Sequence, residues 1–338
     1  MNMKHIVFTG ERVYNNETTV TIGANNYEIE KDWLKWDSEE MPNASNNAVW
    51  ASDGFLYAAT GKKEYPVAVI DKEGNFVKVL TATRFGKSHS IAESLSGTLL
   101  VADASKNDHV VHEIDKEGNL LRTWGTPGVP SDSGYDFDAW KTMEPTGKVP
   151  EETPFSKKPE ANARIQSVVR RGEPFNRPCD FIQVSDGEYY AADGYGNCAV
   201  HRFNKEGELI QSWGEPGKEF GAFRVVHAVL LDRFNRLWVT DRENMRVQAF
   251  SRDGELLAVA DGNFTRIGRT CTDGKYLFIG ELDGGISALD LETLEPVGQI
   301  GAPRSFMRCH GLTLDPEGNL YISSNVWNPK NIIRLKKI

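Results

Sequence analysis

The stretches AADGYGNCAVHRF (Ala191–Phe203) and VTDRENMRVQAF (Val239–Phe250) share one outline: two small or apolar residues, an aspartate, a short polar loop and an alternating strand. Their loops differ, with Gly194, Tyr195 and Gly196 in one and Arg242 and Glu243 in the other. An outline repeated within one chain marks a structural repeat, and that decides a fold before local propensity does. Working outward, the same unit with a tight turn before it recurs as SDGFLYAAT, LSGTLLVAD, SDGEYYAAD, RFNRLWVTD, TDGKYLFIG and PEGNLYISS. Marked by Gly54, Gly97, Gly187, Asn235, Gly274 and Gly318, these copies lie roughly 40–50 residues apart, except across one interval of about double length. This is the period of a four-stranded propeller blade. A second turn signal, DKEGN at Asp71 and Asp115, NKEGE at Asn204 and SRDGE at Ser251, falls between third and fourth strands. With helical spacing scarce, the expected fold is an all-β, six-bladed β-propeller over residues 1–338.

The expected closure of the ring is also legible. Fourth strands end as LLRTWG at Trp124 and LIQSWG at Trp213, but the sixth blade runs out at its third strand, NIIRLKKI. The segment YEIEKDW (Tyr27–Trp33) has the shape of LIQSW and precedes the first blade, so an N-terminal strand is expected to complete the last blade and hide two sheet edges.

Composition narrows the function classes. A chain of 338 residues, 39% hydrophobic, can bury a full core, and a net charge of −9 without a basic block argues against a nucleic-acid partner. No apolar run is long enough to span a bilayer, so a membrane partner is not expected. The start, MNMKHIVFTGERVYNNETT, lacks the apolar centre of a secretion signal. The expectation is a cytoplasmic protein, with a leader already removed as the alternative. Cys179, Cys198, Cys271 and Cys309 form no CxxC pair and read as reduced thiols. A small-molecule partner follows, and the oligomeric state is open.

Counting eight residues back from each turn marker reaches the start of each innermost strand: Asn46, His89, Cys179, His227, Arg266 and His310. In blade five, FTRIGRTCTDG leaves room for a slip of register. One histidine at a strand start is ordinarily a hydrogen-bonding residue. Three of the seven at one repeat position form the kind of set that a catalytic zinc, or another divalent metal, uses with its fourth position open. His5, His109, His112 and His201 fall outside the register and read as surface or sheet residues. In an antiparallel blade the loops holding Tyr195 and Arg242 open on the same face as those strand starts. A phenol there could serve as a base if a cation favoured its ionised form. Arg242 reads equally as a structural partner of its acidic neighbours. Arg266 and Arg308 add cationic character, which implies an anionic substrate, and with Lys62 and Asn46 they are the expected substrate contacts.

FNRPCDF at Phe175, ADGYGN at Ala192, SWGEPG at Ser212, VHAVLLD at Val226 and TDRENMRVQAF at Thr240 together resemble the peptidyl-α-hydroxyglycine α-amidating lyases and their bacterial relatives among NHL-repeat propellers. The resemblance implies zinc on His89, His227 and His310, a catalytic tyrosine at Tyr195 and a substrate-binding arginine at Arg242. It implies cleavage of a carbinolamide C–N bond to an amide and glyoxylate. The family's second arginine is missing from AATGKKE, where Thr60 stands at its place with Lys62 as a stand-in. Gly311 replaces the aspartate that helps hold a structural calcium, so that calcium is left open, and the family's disulfides are unmatched.

The double-length interval, Thr126–Pro174, is rich in Pro, Gly and charge, which denies it a core of its own. It reads either as a surface excursion or as a lid carrying Tyr135, Phe137 or Trp140 over the pocket. Three other functions stay open. One is a metal-dependent hydratase or hydrolase on another small anion, and one is a non-catalytic NHL-repeat binding module. The third is a calcium-dependent lactonase, for which Asn46 and Asp180 lie near inward ligand positions.

Overall fold

The computed structural model describes residues 3–13, 18–35, 46–142, 158–301, 307–324 and 332–338. Its strands form six sheets around an axis, each built on four antiparallel strands, in chain order. Blade one holds Asn47–Trp50 to Phe76–Leu80, blade two Ser88–Glu93 to Leu120–Trp124, and blade three Asp180–Gln183 to Leu209–Trp213. Blade four runs from Val226–Leu231 to Leu256–Gly262, blade five from Ile267–Thr272 to Pro296–Ile300, and blade six begins at Gly311–Leu314. Burial explains which strands were easiest to read. Second strands such as Tyr189–Asp193 are buried along their whole length, whereas fourth strands such as Phe76–Leu80 keep only their last residue inside.

Closure follows the expectation. Asn25–Glu30 pairs antiparallel with Ile332–Lys337, setting Ile29 opposite Leu335, and Thr19–Ile22 adds a fifth strand outside it. The segment before these does something the repeat pattern does not announce. Lys4–Phe8 lies parallel to Leu256–Gly262 and caps the outer edge of blade four. The chain start therefore covers two separate edges, each of which would otherwise offer unpaired backbone groups.

Among the described residues no cluster of apolar side chains fills the axis. The hydrophobic residues gather in six groups, one at each junction between neighbouring blades. Tryptophans at fourth-strand ends seal two of these: Trp124 of blade two packs 4.9 Å from Phe181 and 5.1 Å from Tyr189 of blade three, and Trp213 packs 6.1 Å from Phe250 of blade four. Stability thus comes from a ring of interfaces, and the axial ends of the inner strands are free to carry polar chemistry.

The aspartate of the repeated outline has a structural task. Asp103, Asp193, Asp241 and, in blade five, Glu281 end their second strands and accept hydrogen bonds from the backbone N–H groups of Gly86, Asn176, Arg224 and Thr265. Each bonded residue lies three positions before the inner-strand residue nearest the axis. The carboxylate therefore fixes how the chain enters that strand.

The insertion is more than an excursion. It contains a helix, Pro159–Ser167, and a short 3-10 turn, Ala139–Thr142; residues 143–157 lie outside the described residues. Val168 is buried in the junction between blades three and four, and Tyr135 packs against that group. Ser133 is fully buried and its hydroxyl donates to the carbonyl of Gly196. The segment, read from composition as coreless, borrows the propeller's core.

Deleting residues 1–35 is expected to lower the melting temperature and promote association, because the edges of Ile332–Lys337 and Leu256–Gly262 become available to other chains. Thermal melting with light scattering checks this; an unchanged melt and a monodisperse chain would show that closure adds no stability.

Candidate metal and substrate site

Three histidines meet at one end of the axis. His89, His227 and His310 enter from blades two, four and six, and their ring centroids lie 5.0, 5.0 and 4.8 Å apart pairwise. In blades two and four the strand register skips the histidine, pairing Ser88 with Asp103 and Ser90 with Ala102, and Val226 with Asp241 and Ala228 with Thr240. A bulge of this kind re-aims a side chain, here toward the axis.

The intervening blades hold the rings. His89 Nδ1 lies 2.7 Å from the carbonyl oxygen of Cys179, His227 Nδ1 2.6 Å from that of Gly268, and His310 Nδ1 2.6 Å from that of Asn46. A carbonyl oxygen only accepts, so each Nδ1 carries the proton and each Nε2 presents a lone pair. Three ligand atoms, one from each ring, lie within 4.8 Å of one another. Burial keeps all three imidazoles neutral: His89 and His227 are held well below the ordinary histidine range and His310 is pulled down to about 3, first by desolvation and then by neighbouring positive charge. Buried neutral imidazoles with Nδ1–H on backbone carbonyls and lone pairs turned together fit a divalent cation, which removes the repulsion among those lone pairs.

Tyr195 closes over this cluster. Its hydroxyl is 2.9 Å from His89 Nε2, 3.3 Å from His227 Nε2 and 3.0 Å from Arg242 Nη1. Gly194 lets the loop come this close: a Cβ there would stand 2.1 Å from the Val226 carbonyl oxygen. Burial raises the phenol's pKa, and Arg242 acts against that rise. Arg242 is itself buried; its Nε donates to Glu243 Oε1 at 2.8 Å, while its Nη1 donates to the phenol oxygen.

A cavity of about 350 Å³ opens above these groups, and Tyr195, Arg242, Arg266 and His310 line it. Arg266 belongs to it by a different route from the one its register suggested. Ile267 pairs with Glu281 as Val226 pairs with Asp241, so Gly268, in the bulge between Ile267 and Thr270, is the residue equivalent to His227, and the stretch from it to the turn at Gly274 is two residues shorter than in blade four. Arg266 reaches the cavity from the loop before the strand and is paired with Asp283 at 3.0 Å.

Three expected substrate contacts do not hold. Lys62 is exposed and does not line the cavity, so the second family arginine has no stand-in there; Thr60 is buried and donates to the Tyr65 carbonyl. Arg308 is half-buried outside the cavity lining. The Asn46 side chain donates to the Ser88 carbonyl, and its contribution to the site is the main-chain oxygen under His310. The residues missed are Lys87, Arg164 and Arg177, all cavity-lining and half-buried. Lys87 and Arg177 could have been noticed at one repeat position, two residues before His89 and Cys179; Arg164 carries no repeat signal.

A structural calcium does not fit the channel beneath the histidines. Arg269 Nη1 lies 2.7 Å from Asp180 Oδ1, so this buried carboxylate already has its counter-charge. Gly311 sits against the Asn47 backbone, where even a Cβ would come within 2.7 Å of Asn47 Cα. The same pairing engages Asp180, one of the ligands a lactonase-type site would need.

The chain is 34% identical over 134 residues to human NHL repeat-containing protein 3, covering 38% of each chain, and 30% identical over 228 residues to its mouse counterpart, covering 62% of this chain and 65% of that one. Peptidyl-α-hydroxyglycine α-amidating lyase 2 of Drosophila melanogaster is 27% identical over 175 residues, covering 50% of this chain and 40% of the fly protein. Its homologues are NHL repeat-containing proteins and amidating lyases. The chain spans less than two thirds of these curated relatives, and no family model matches it. For this NHL-repeat relative, solved structures support the propeller fold alone. A gluconolactonase from Xanthomonas campestris superimposes with a TM-score of 0.60 at 15% identity over 97% of this chain and 98% of that one. A streptogramin B lyase does so with 0.55 at 12% identity over 88% and 95%. Among the described residues no helix is long and apolar enough to cross a membrane.

Replacing any one of His89, His227 or His310 with Ala is expected to reduce bound metal at least tenfold with the β-sheet signal intact, measured by elemental analysis and circular dichroism on untagged protein. Arg269→Met is expected to cost about 3–5 kcal/mol, because it leaves the Asp180 carboxylate buried without its partner; urea denaturation reads this, and chelating calcium should leave the parent midpoint unmoved.

Proposed function

We propose that the chain is a zinc-dependent lyase that cleaves a C–N bond in a small α-hydroxy acid derivative. One observation carries this reading: the Tyr195 hydroxyl lies within hydrogen-bonding distance of two Nε2 atoms and of the Arg242 guanidinium, so the base candidate and the metal ligands share one point. Relatives named as amidating lyases support the reaction class. A bound divalent ion would supply Lewis acidity toward a carbonyl or hydroxyl oxygen of the substrate.

The chain's own groups account for the proton movements. Burial favours the neutral phenol and Arg242 favours the phenolate, and a divalent ion held by His89, His227 and His310 would add to the effect of Arg242. Ionised, Tyr195 takes the proton from the substrate's α-hydroxyl group. The O–H electron pair becomes the new C=O bond as the C–N bond breaks, and the same phenol returns its proton to the departing nitrogen. The products are an amide and an α-keto or aldehyde acid. Arg242 holds the phenol in place and offers positive charge beside the substrate, while Glu243 fixes the guanidinium plane.

Tyr195→Phe is expected to lower kcat on N-acyl-α-hydroxyglycines by about 10²–10⁴, the range for a lost general base, with metal content unchanged. Glyoxylate release reads the reaction. Turnover equal to the parent would remove the phenol from the mechanism, and a parent protein that neither holds metal nor releases glyoxylate would favour the binding-module reading.

A further inference from the structure

The cavity carries positive charge that the lyase reading does not use. Of its five cationic side chains, Arg242 is ion-paired with Glu243 at 2.8 Å and Arg266 with Asp283 at 3.0 Å. The other three, Lys87, Arg164 and Arg177, have no carboxylate within ion-pair distance among the described residues. Their contacts are neutral. Arg177 donates through Nε to the Ala104 carbonyl at 3.1 Å and through Nη1 to the Tyr135 hydroxyl at 2.7 Å; Arg164 donates to the Phe137 carbonyl at 2.7 Å; and the Lys87 ammonium lies 5.8 Å from the Tyr195 ring centre. The Arg164 guanidinium also lies 4.1 Å from the Phe137 ring centre.

Half-buried cations left without counter-charge cost free energy unless a ligand supplies it. These three converge from separate parts of the chain: Lys87 from the loop before blade two, Arg177 from the loop before blade three, where its φ of 66° places it in the left-handed region, and Arg164 from the insertion helix. Tyr135 and Phe137 of the insertion wall the same space, and its volume of about 350 Å³ is at the low end for a small-molecule site.

We infer that Lys87, Arg177 and Arg164 form a second anion subsite under the insertion, so that the ligand of this cavity is a small molecule carrying at least two negative charges rather than a peptide. One acidic group faces Arg242 and the histidines, and the other lies among these three cations. The inference rests on the proposed function only in treating the cavity as the substrate site; the subsite itself is a binding property and is read without turnover. It also gives the insertion a role in selectivity, because Arg164 and both aromatic walls come from it.

Calorimetric titration of the full-length, metal-loaded protein with glycolate, malate and citrate tests this, since the three acids share an α-hydroxy carboxylate and differ in added charge. Malate is expected to bind at least tenfold more tightly than glycolate, with the advantage shrinking as salt is raised. Lys87→Met and Arg177→Met, checked for an unchanged melting temperature, should each remove most of that advantage while leaving glycolate affinity within about twofold. Equal affinity for glycolate and malate in the parent overturns the subsite, as does an undiminished malate preference in both variants. Citrate weaker than glycolate would show that the cavity rejects added bulk and charge, and would overturn it too. A malate preference without any lyase turnover would leave the subsite standing and remove the proposed reaction; turnover of neutral-tailed N-acyl-α-hydroxyglycines without that preference would do the reverse.

Discussion

Each histidine of the axial cluster gives its Nδ1 proton to the backbone of the next blade, and the chemistry of the site depends on that bond. A side-chain partner could rotate away or change its protonation; a main-chain carbonyl in or next to a strand can do neither. The bond fixes the tautomer, turns the ring and leaves Nε2 as a lone pair. Because donors and acceptors alternate around the ring, the geometry of the histidines is locked to the six-bladed arrangement itself. The blades that lack a histidine are thus as necessary to the cluster as those that carry one.

That coupling explains why the apolar residues lie between blades and not on the axis. Six junction clusters hold the ring at fixed spacing, and the strand ends are left polar at little cost to stability. The acidic residue closing each of four second strands completes the scheme, binding the entering backbone three residues before the axial position. Below the histidines the Arg269–Asp180 pair supplies by covalent chain what a structural cation would otherwise supply.

The loops above the axis divide the remaining work. Tyr195 and Arg242 come from equivalent loops of adjacent blades, which is why they can meet at 3.0 Å. The insertion then sets the upper wall, tied down by the Ser133–Gly196 hydrogen bond and by Tyr135 on Arg177. A scaffold made of repeats thereby gains an asymmetric pocket, since its most individual segment leans on the loop that carries the phenol.

Much of this was legible from residues alone, because repeats report themselves. The turn markers counted out six blades, YEIEKDW matched the shape of a missing strand, and three histidines at one repeat position pointed to one end of the axis. Counting failed in blade five, where five residues separate the axial Gly268 from the turn glycine Gly274 instead of the seven between His227 and Asn235, so the axial position is Gly268 and not Arg266; a shortened strand and turn shift the count while leaving the turn signal itself in place. Composition also misjudged the insertion, since Val168 and Tyr135 use a core belonging to neighbouring blades, which a local window does not contain. Lys62 was placed by sequence position and proved to face solvent, whereas Arg164 and Arg177 were overlooked and proved to line the cavity. The sequence by itself determined the blade count, the closure and the axial residues of every blade but the fifth, all of which follow from periodicity. Which charges face the pocket, and which are already neutralised, was decided only when distant loops were brought together, because a charge's partner is set by distance in space and not by position along the chain.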